Sequence, residues 1–148
     1  MASFQGGERP GTPDGRPAVL ARGHRPRGAA VNVLLVEDDE GLREAVTRGL
    51  AKAGFAVACA ASGREAHALA REHPPDAVVM DVLLPDSGGL GVATEMRSMK
   101  LLRAVPILFI TALAPAMVRD SLFPAPVLYK PFTYRQLVAG VRSLVQAL

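Results

Sequence analysis

Four short apolar runs, each ending in residues that carry a charge or a hydroxyl, constrain this chain more than any other feature. Val33-Leu34-Leu35-Val36 leads into Glu37-Asp38, and Ala77-Val78-Val79-Met80 leads into Asp81. Ile107-Leu108-Phe109-Ile110 leads into Thr111, and Pro126-Val127-Leu128-Tyr129 leads into Lys130. Continuous apolar runs of this length, bounded by polar residues, read as strands buried on both faces of a parallel sheet. Chemistry in an open α/β sheet gathers at the carboxyl ends of its strands. The acids, the hydroxyl and the amine are therefore expected at one edge, although they lie far apart in sequence.

The segments between the runs are helical in period. After a first strand over 31–36, apolar and small residues recur at Leu42, Ala45, Val46, Gly49, Leu50 and Ala53, with Gly54 as C-terminal cap. A second strand spans 55–60. Ser62-Gly63-Arg64-Glu65 then has the form of a capping box. Pro74-Pro75 ends that helix before a third strand over 76–80. A loop with Pro85, Gly88 and Gly89 leads to a third helix centred on 93–99, and a fourth strand spans 106–110. The next helix is short, with Pro115 in its first turn and Pro124 closing the segment. A fifth strand over 126–129 precedes Thr133-Tyr134-Arg135-Gln136, a second capping box. The last helix carries Leu137, Val138, Val141, Leu144, Val145 and Leu148 on one face. Alternating strands and helices with right-handed crossovers predict an α/β, flavodoxin-like (βα)5 fold. Its doubly wound parallel sheet has strand order 2-1-3-4-5, which sets Glu37-Asp38 beside Asp81 at the switch point.

Composition narrows the function classes. A chain of 148 residues with 49% hydrophobic side chains suits one domain with a real core. We expect a Gly/Pro/Arg-rich, disordered basic arm over 1–30 and one domain over 31–148, with no second domain after the last helix. Arg9, Arg16, Arg22, Arg25 and Arg27 face only Glu8 and Asp14 in the arm, so the arm holds the whole net charge of +3. The basic balance is thus no argument that the domain binds nucleic acid. No apolar stretch approaches a membrane span, the first thirty residues lack a secretory core, and the single Cys59 forms no internal disulfide. A cytoplasmic protein is the expectation.

Three carboxylates at adjacent strand ends are electrostatically unstable alone. Two such charges about 4 Å apart repel by roughly 4 kcal/mol at an effective dielectric of 20. A cation, a proton or a basic partner is needed, and an all-oxygen cluster selects a hard cation, Mg²⁺ in a cell. Lys130 offers a compact positive charge from the fifth strand. With Thr111 as a hydroxyl donor, the set suits phosphoryl transfer to a carboxylate, and Asp81 on the central strand is the best nucleophile.

These residues carry a resemblance. Val36-Glu-Asp-Asp-Glu40, Asp81-Val-Leu-Leu-Pro85 with Gly89, Ile110-Thr111-Ala112 and Tyr129-Lys130-Pro131-Phe132 resemble, in order, the motifs of response-regulator receiver domains of bacterial two-component signalling. The likeness covers 31–148. It implies Asp81 as the aspartyl-phosphate site, with Thr111 and Lys130 assisting. It implies Glu37, Asp38, Asp81 and the Leu83 main-chain carbonyl around Mg²⁺, and a cis peptide between Lys130 and Pro131. The implied partners are a sensor histidine kinase or histidine phosphotransfer protein as donor and a downstream protein as target. A homodimer through the fourth and fifth helices is a further expectation. The implied role is a stand-alone phosphorylation switch rather than an enzyme; the alternative is an atypical receiver that acts as a scaffold without phosphorylation. A phosphatase with a nucleophilic aspartate would want a second acid where Leu83 stands.

The chain departs from the family pattern in two places. Val127 occupies the position, three before the lysine, where the family places an aromatic switch residue. The segment from Thr111 to Lys130 is also about three residues short, which points to an altered output face. Apolar Leu83 and Leu113 beside the pocket imply a long-lived phosphoryl group. The other chemistry-bearing residues read as structural. His67 and His73 are surface residues, Cys59 a small core residue, and Phe132 and Tyr134 packing around the last helix. Gly88-Gly89-Leu90-Gly91 reads as a turn, not a dinucleotide loop.

Overall fold

Four strands of five residues and one of three, rich in Val, Leu, Ile and Ala, favour burial in a sheet, and the computed structural model sets the middle ones at the centre of the molecule. It describes residues 29–118 and 125–146. The elements run β1 (Asn32–Val36), α1 (Glu40–Lys52), β2 (Ala56–Ala60), α2 (Gly63–Glu72), β3 (Ala77–Asp81), α3 (Gly88–Ser98), β4 (Ile107–Thr111), α4 (Pro115–Val118), β5 (Val127–Tyr129) and α5 (Tyr134–Gln146). The strands form one parallel sheet in the order β2-β1-β3-β4-β5. This is the predicted doubly wound, flavodoxin-like arrangement. Strand boundaries differ from the sequence reading by a single residue, because Asp81 and Thr111 each make the last ladder pairing of their strands. The expected arm falls on residues outside those described, up to its last two, and Pro124 and Leu148 also lie outside them.

Alternation along each strand divides the interior into two cores. Leu34, Val36, Val78, Met80, Ile107 and Phe109 face α2 and α3, where Ala66, Ala70, Val92, Ala93 and Met96 meet them. Val33, Leu35, Val79, Leu108 and Ile110 face α1 and α5, packing with Val46, Leu50, Leu137, Val138, Val141 and Leu144. Every residue of β3 and β4 is buried, as central strands require, whereas the edge strand β5 is half-buried throughout.

Helix ends follow the capping chemistry read from the sequence, with refinements. Asp39 caps α1 by accepting from Leu42 N, so this helix starts earlier than its apolar face. Gly54, at φ +97°, turns the chain out of α1 into β2. Ser62 accepts from Glu65 N, while Glu65 reaches back to Ala61 N rather than to the cap itself. Thr133 and Gln136 complete the second box reciprocally: Thr133 N donates to Gln136 Oε1 at 2.8 Å and Gln136 N to Thr133 Oγ1 at 3.1 Å. α3 begins at Gly88, ahead of the predicted centre, and the described part of α4 is a single turn.

One minor reading needs correction. His67 is not a solvated surface residue: its side chain is 16% exposed and its Nε2 lies 2.5 Å from Glu95 Oε2, linking α2 to α3. Cys59 is half-buried and packs against the α1–α5 core as expected, with Thr47 Oγ1 3.0 Å from its sulfur. Tyr134 is partly exposed, and its ring lies over Gly49 of α1. Phe132 packs on the α1–α5 core as expected, and His73 is exposed. No helix among the described residues is long and apolar enough to cross a membrane.

Candidate functional site at the carboxyl edge of the sheet

Because the strands are parallel, their carboxyl ends share one edge, and the predicted residues meet there. Glu37 follows β1, Asp81 ends β3, Thr111 ends β4 and Lys130 follows β5. Glu37, Asp38 and Asp81 each bring a carboxylate oxygen within 4.8 Å of the other two. Glu37 and Asp81 are buried and Asp38 is exposed, so the cluster opens to solvent on one side only. Lys130 spans the buried pair: its Nζ lies 3.1 Å from Glu37 Oε2 and 3.0 Å from Asp81 Oδ2. The peptide bond from Lys130 to Pro131 is cis, as the resemblance implies.

The remaining lone pairs are held by backbone. Leu83 N donates to Asp81 Oδ1 at 2.9 Å, and Asp39 N donates to Glu37 Oε1 at 3.2 Å. Thr111 is fully buried, and its Oγ1 accepts from Leu113 N at 3.0 Å, which leaves its hydroxyl proton available for donation. Leu83 itself is exposed, and Leu113 is half-buried.

Charge sets the protonation of the cluster. Burial, then hydrogen bonding to and repulsion from Asp81, raise the Glu37 pKa from 4.5 to about 7, against opposing contacts from Asp39 N and Lys130. Burial by itself would lower the Lys130 amine, but its bonds to and attraction by Asp81 and Glu37 outweigh that and hold its pKa above the ordinary value. One lysine therefore does not neutralise the site: near neutral pH a proton still resides partly on Glu37. Three oxygen donors with excess negative charge fit a hard divalent cation, which would displace that proton.

Three further residues take roles that their local sequence does not show. Gly89 matched a motif, but its physical role appears only in three dimensions: a Cβ there would fall 2.0 Å from the Asp81 carbonyl oxygen, so α3 can start against β3 only with glycine. Asp86, in the β3–α3 loop, accepts from Gly63 N and Arg64 N at 3.1 Å each and ties that loop to the start of α2. Tyr129 pairs with Thr111 in the ladder, as Val127 pairs with Phe109. Paired residues of parallel strands share a face, so the aromatic of β5 stands one pleat nearer the site than the usual position.

A family model, the response regulator receiver domain, matches residues 33–142. The chain belongs to the response regulator receiver family. Among curated relatives, the response regulator MprA of Mycolicibacterium vanbaalenii is 38% identical over 119 residues, which is 78% of this chain and 51% of that protein. The transcriptional regulatory protein CusR of Escherichia coli is 34% identical over the same share of this chain and 52% of its own. The receiver thus spans about half the length of the curated relatives it matches. Among solved structures, the chemotaxis protein CheY4 of Vibrio cholerae superposes with a TM-score of 0.73 at 29% identity, covering 78% of this chain and 99% of that one. The receiver domain of sensor histidine kinase PA1611 from Pseudomonas aeruginosa gives 0.74 at 29% identity, covering 80% and 99%, and holds a magnesium ion in its active-site cleft. In the present chain, Glu37, Asp38 and Asp81 form a group that could hold a metal ion.

Proposed function

We propose that this receiver is a phosphorylation-dependent switch that accepts a phosphoryl group on Asp81 from a histidine kinase or a histidine phosphotransfer protein. The observation that carries the reading is the Lys130 ammonium bonded at once to Glu37 and Asp81, with Asp38 completing the acidic cluster. A carboxylate oxygen of Asp81 attacks phosphorus as the P–N bond of a phosphohistidine breaks, its electron pair returning to the imidazole nitrogen. Lys130 neutralises charge on a phosphoryl oxygen, and the Thr111 hydroxyl donates to another. Glu37, Asp38, Asp81 and the Leu83 main-chain carbonyl would hold Mg²⁺, which would supply further charge neutralisation.

The consequence is a small local rearrangement. Lys130 and Thr111, drawn to the new phosphoryl group, pull on β5 and on the β4–α4 loop, and the surface beside them changes its partners. The readout is contact with a downstream protein, in the cytoplasm and with no catalytic turnover of its own. The short segment between Thr111 and Lys130 favours the scaffold alternative, but the acidic cluster and the lysine bonded across it favour phosphorylation. The deciding experiment is labelling by a small acyl-phosphate donor with Mg²⁺. Wild type takes up label and D81N takes up none; label retained on D81N would reject the assignment.

A further inference from the structure

Glu37 and Asp38 are neighbours, and that is a geometric problem. Successive side chains of an extended chain point to opposite faces, yet both deliver carboxylate oxygens to one cluster. The backbone therefore turns just past Val36, where the ladder ends, and the carbonyls of the turn need donors from elsewhere. Arg43 of α1 supplies them. Its Nη1 donates to Glu37 O at 3.0 Å and to Asp38 O at 3.3 Å. Its own N–H donates to Asp39 O at 2.9 Å, the first bond of the helix. One residue thus holds three consecutive carbonyls, those of Glu37, Asp38 and Asp39, with its backbone and its guanidinium. Arg43 is half-buried, and its bond to the Glu37 carbonyl is part-buried while that to the Asp38 carbonyl is exposed.

We propose that Arg43 is a positioning residue for the acidic pocket: its guanidinium clips the turn after β1 so that Glu37 and Asp38 face the same cation. The inference rests on the Mg²⁺-dependent reading above and concerns a residue that touches neither the cation nor the phosphoryl group. Its sign separates it from plain electrostatics. Arg43 is a cation close to a cation site, so charge repulsion alone predicts that its removal tightens Mg²⁺ binding. A clip predicts the reverse, because carboxylates released from a common orientation lose affinity, typically by 10- to 100-fold when an outer support is removed. Lysine keeps the charge, but its flexible stem ends one bond short of Nη1, the nitrogen that donates to both carbonyls.

The test is calorimetric titration of MgCl2 into the full chain, with circular dichroism confirming the fold of each variant without metal. Affinity is expected to fall in the order wild type, R43K, R43A, with R43A weaker by about tenfold. Equal or tighter binding by R43A overturns the inference, and so does a lower unfolding temperature with Mg²⁺ affinity unchanged. Should R43A fail to fold, R43K decides: weaker binding supports the clip, and equal or tighter binding overturns it. A wild-type chain that binds no Mg²⁺ defeats the functional reading itself and the clip with it, a result distinct from loss in the variants alone.

Discussion

Glu37 shows how one buried carboxyl sets the behaviour of the site. Its pKa of about 7 in the folded protein lies above the ordinary 4.5. The stabilising contribution of the neutral form is therefore complete below about pH 4.5 and lost as pH rises through about 7. Metal-free E37Q, which cannot ionise there, is expected to hold its thermal midpoint more nearly constant between about pH 5 and 8 and to exceed wild type at the upper end. A wild-type profile as flat as that of E37Q would refute the assignment of the tension to this residue. Gly89 acts by absence. The atom that a Cβ would strike is main-chain oxygen of Asp81, which no rotamer change can move. G89A should be destabilised by about 3 kcal/mol in urea unfolding, with a midpoint equal to wild type counting against the packing argument.

At the scale of elements, helix starts serve as joints between the site and the frame. The first turn of α2 has three of its free N–H groups satisfied by side chains: Asp86 takes Gly63 and Arg64, and Ser62 takes Glu65. Asp86 comes from the loop that follows Asp81, so one exposed carboxylate ties the β3–α3 loop to α2. Hydrogen bonds from Gly63 N above all lower its pKa below 3.8. A depressed carboxyl contributes stability above its ordinary pKa and loses it as pH falls through the lowered value. Amide exchange at Gly63 and Arg64 should therefore be slow in wild type until the solution is well below about pH 4. In D86A it should be fast at neutral pH, and identical rates there would show that Asp86 is no cap. α4 has the opposite character: its described part, Pro115–Val118, is headed by Pro115 and carries exposed Met117 beside buried Val118.

For the whole molecule, the acidic cluster links ligand binding to folding. Cation bound only by the folded chain stabilises it by mass action, about 2.7 kcal/mol at 100 times Kd, or roughly 11–22 °C for a domain near 100 residues. Addition of Mg²⁺ should raise the melting temperature of wild type, EDTA should reverse the change, and E37Q should show neither; a wild-type melt insensitive to Mg²⁺ would disconnect the cluster from any cation. Much of this architecture was legible beforehand. Apolar runs too short to be helices, each closed by Asp81, Thr111 or the Lys130-Pro131 pair, establish strands and their direction locally. Ser62 and Thr133 announce helix starts by their own side-chain chemistry. Other features were not legible, because they depend on which helix lies against which loop: Arg43 on the carbonyls of Glu37 and Asp38, Asp86 on α2, and His67 against Glu95 of α3. The chain by itself determined the order of elements, the parallel sheet and the residue type at each strand end, since those follow from period, length and capping. Tertiary structure alone decided that Lys130 bonds Asp81 from 49 residues away and Glu37 from 93. Distances across such separations are set by how the layers pack, and no local pattern encodes them.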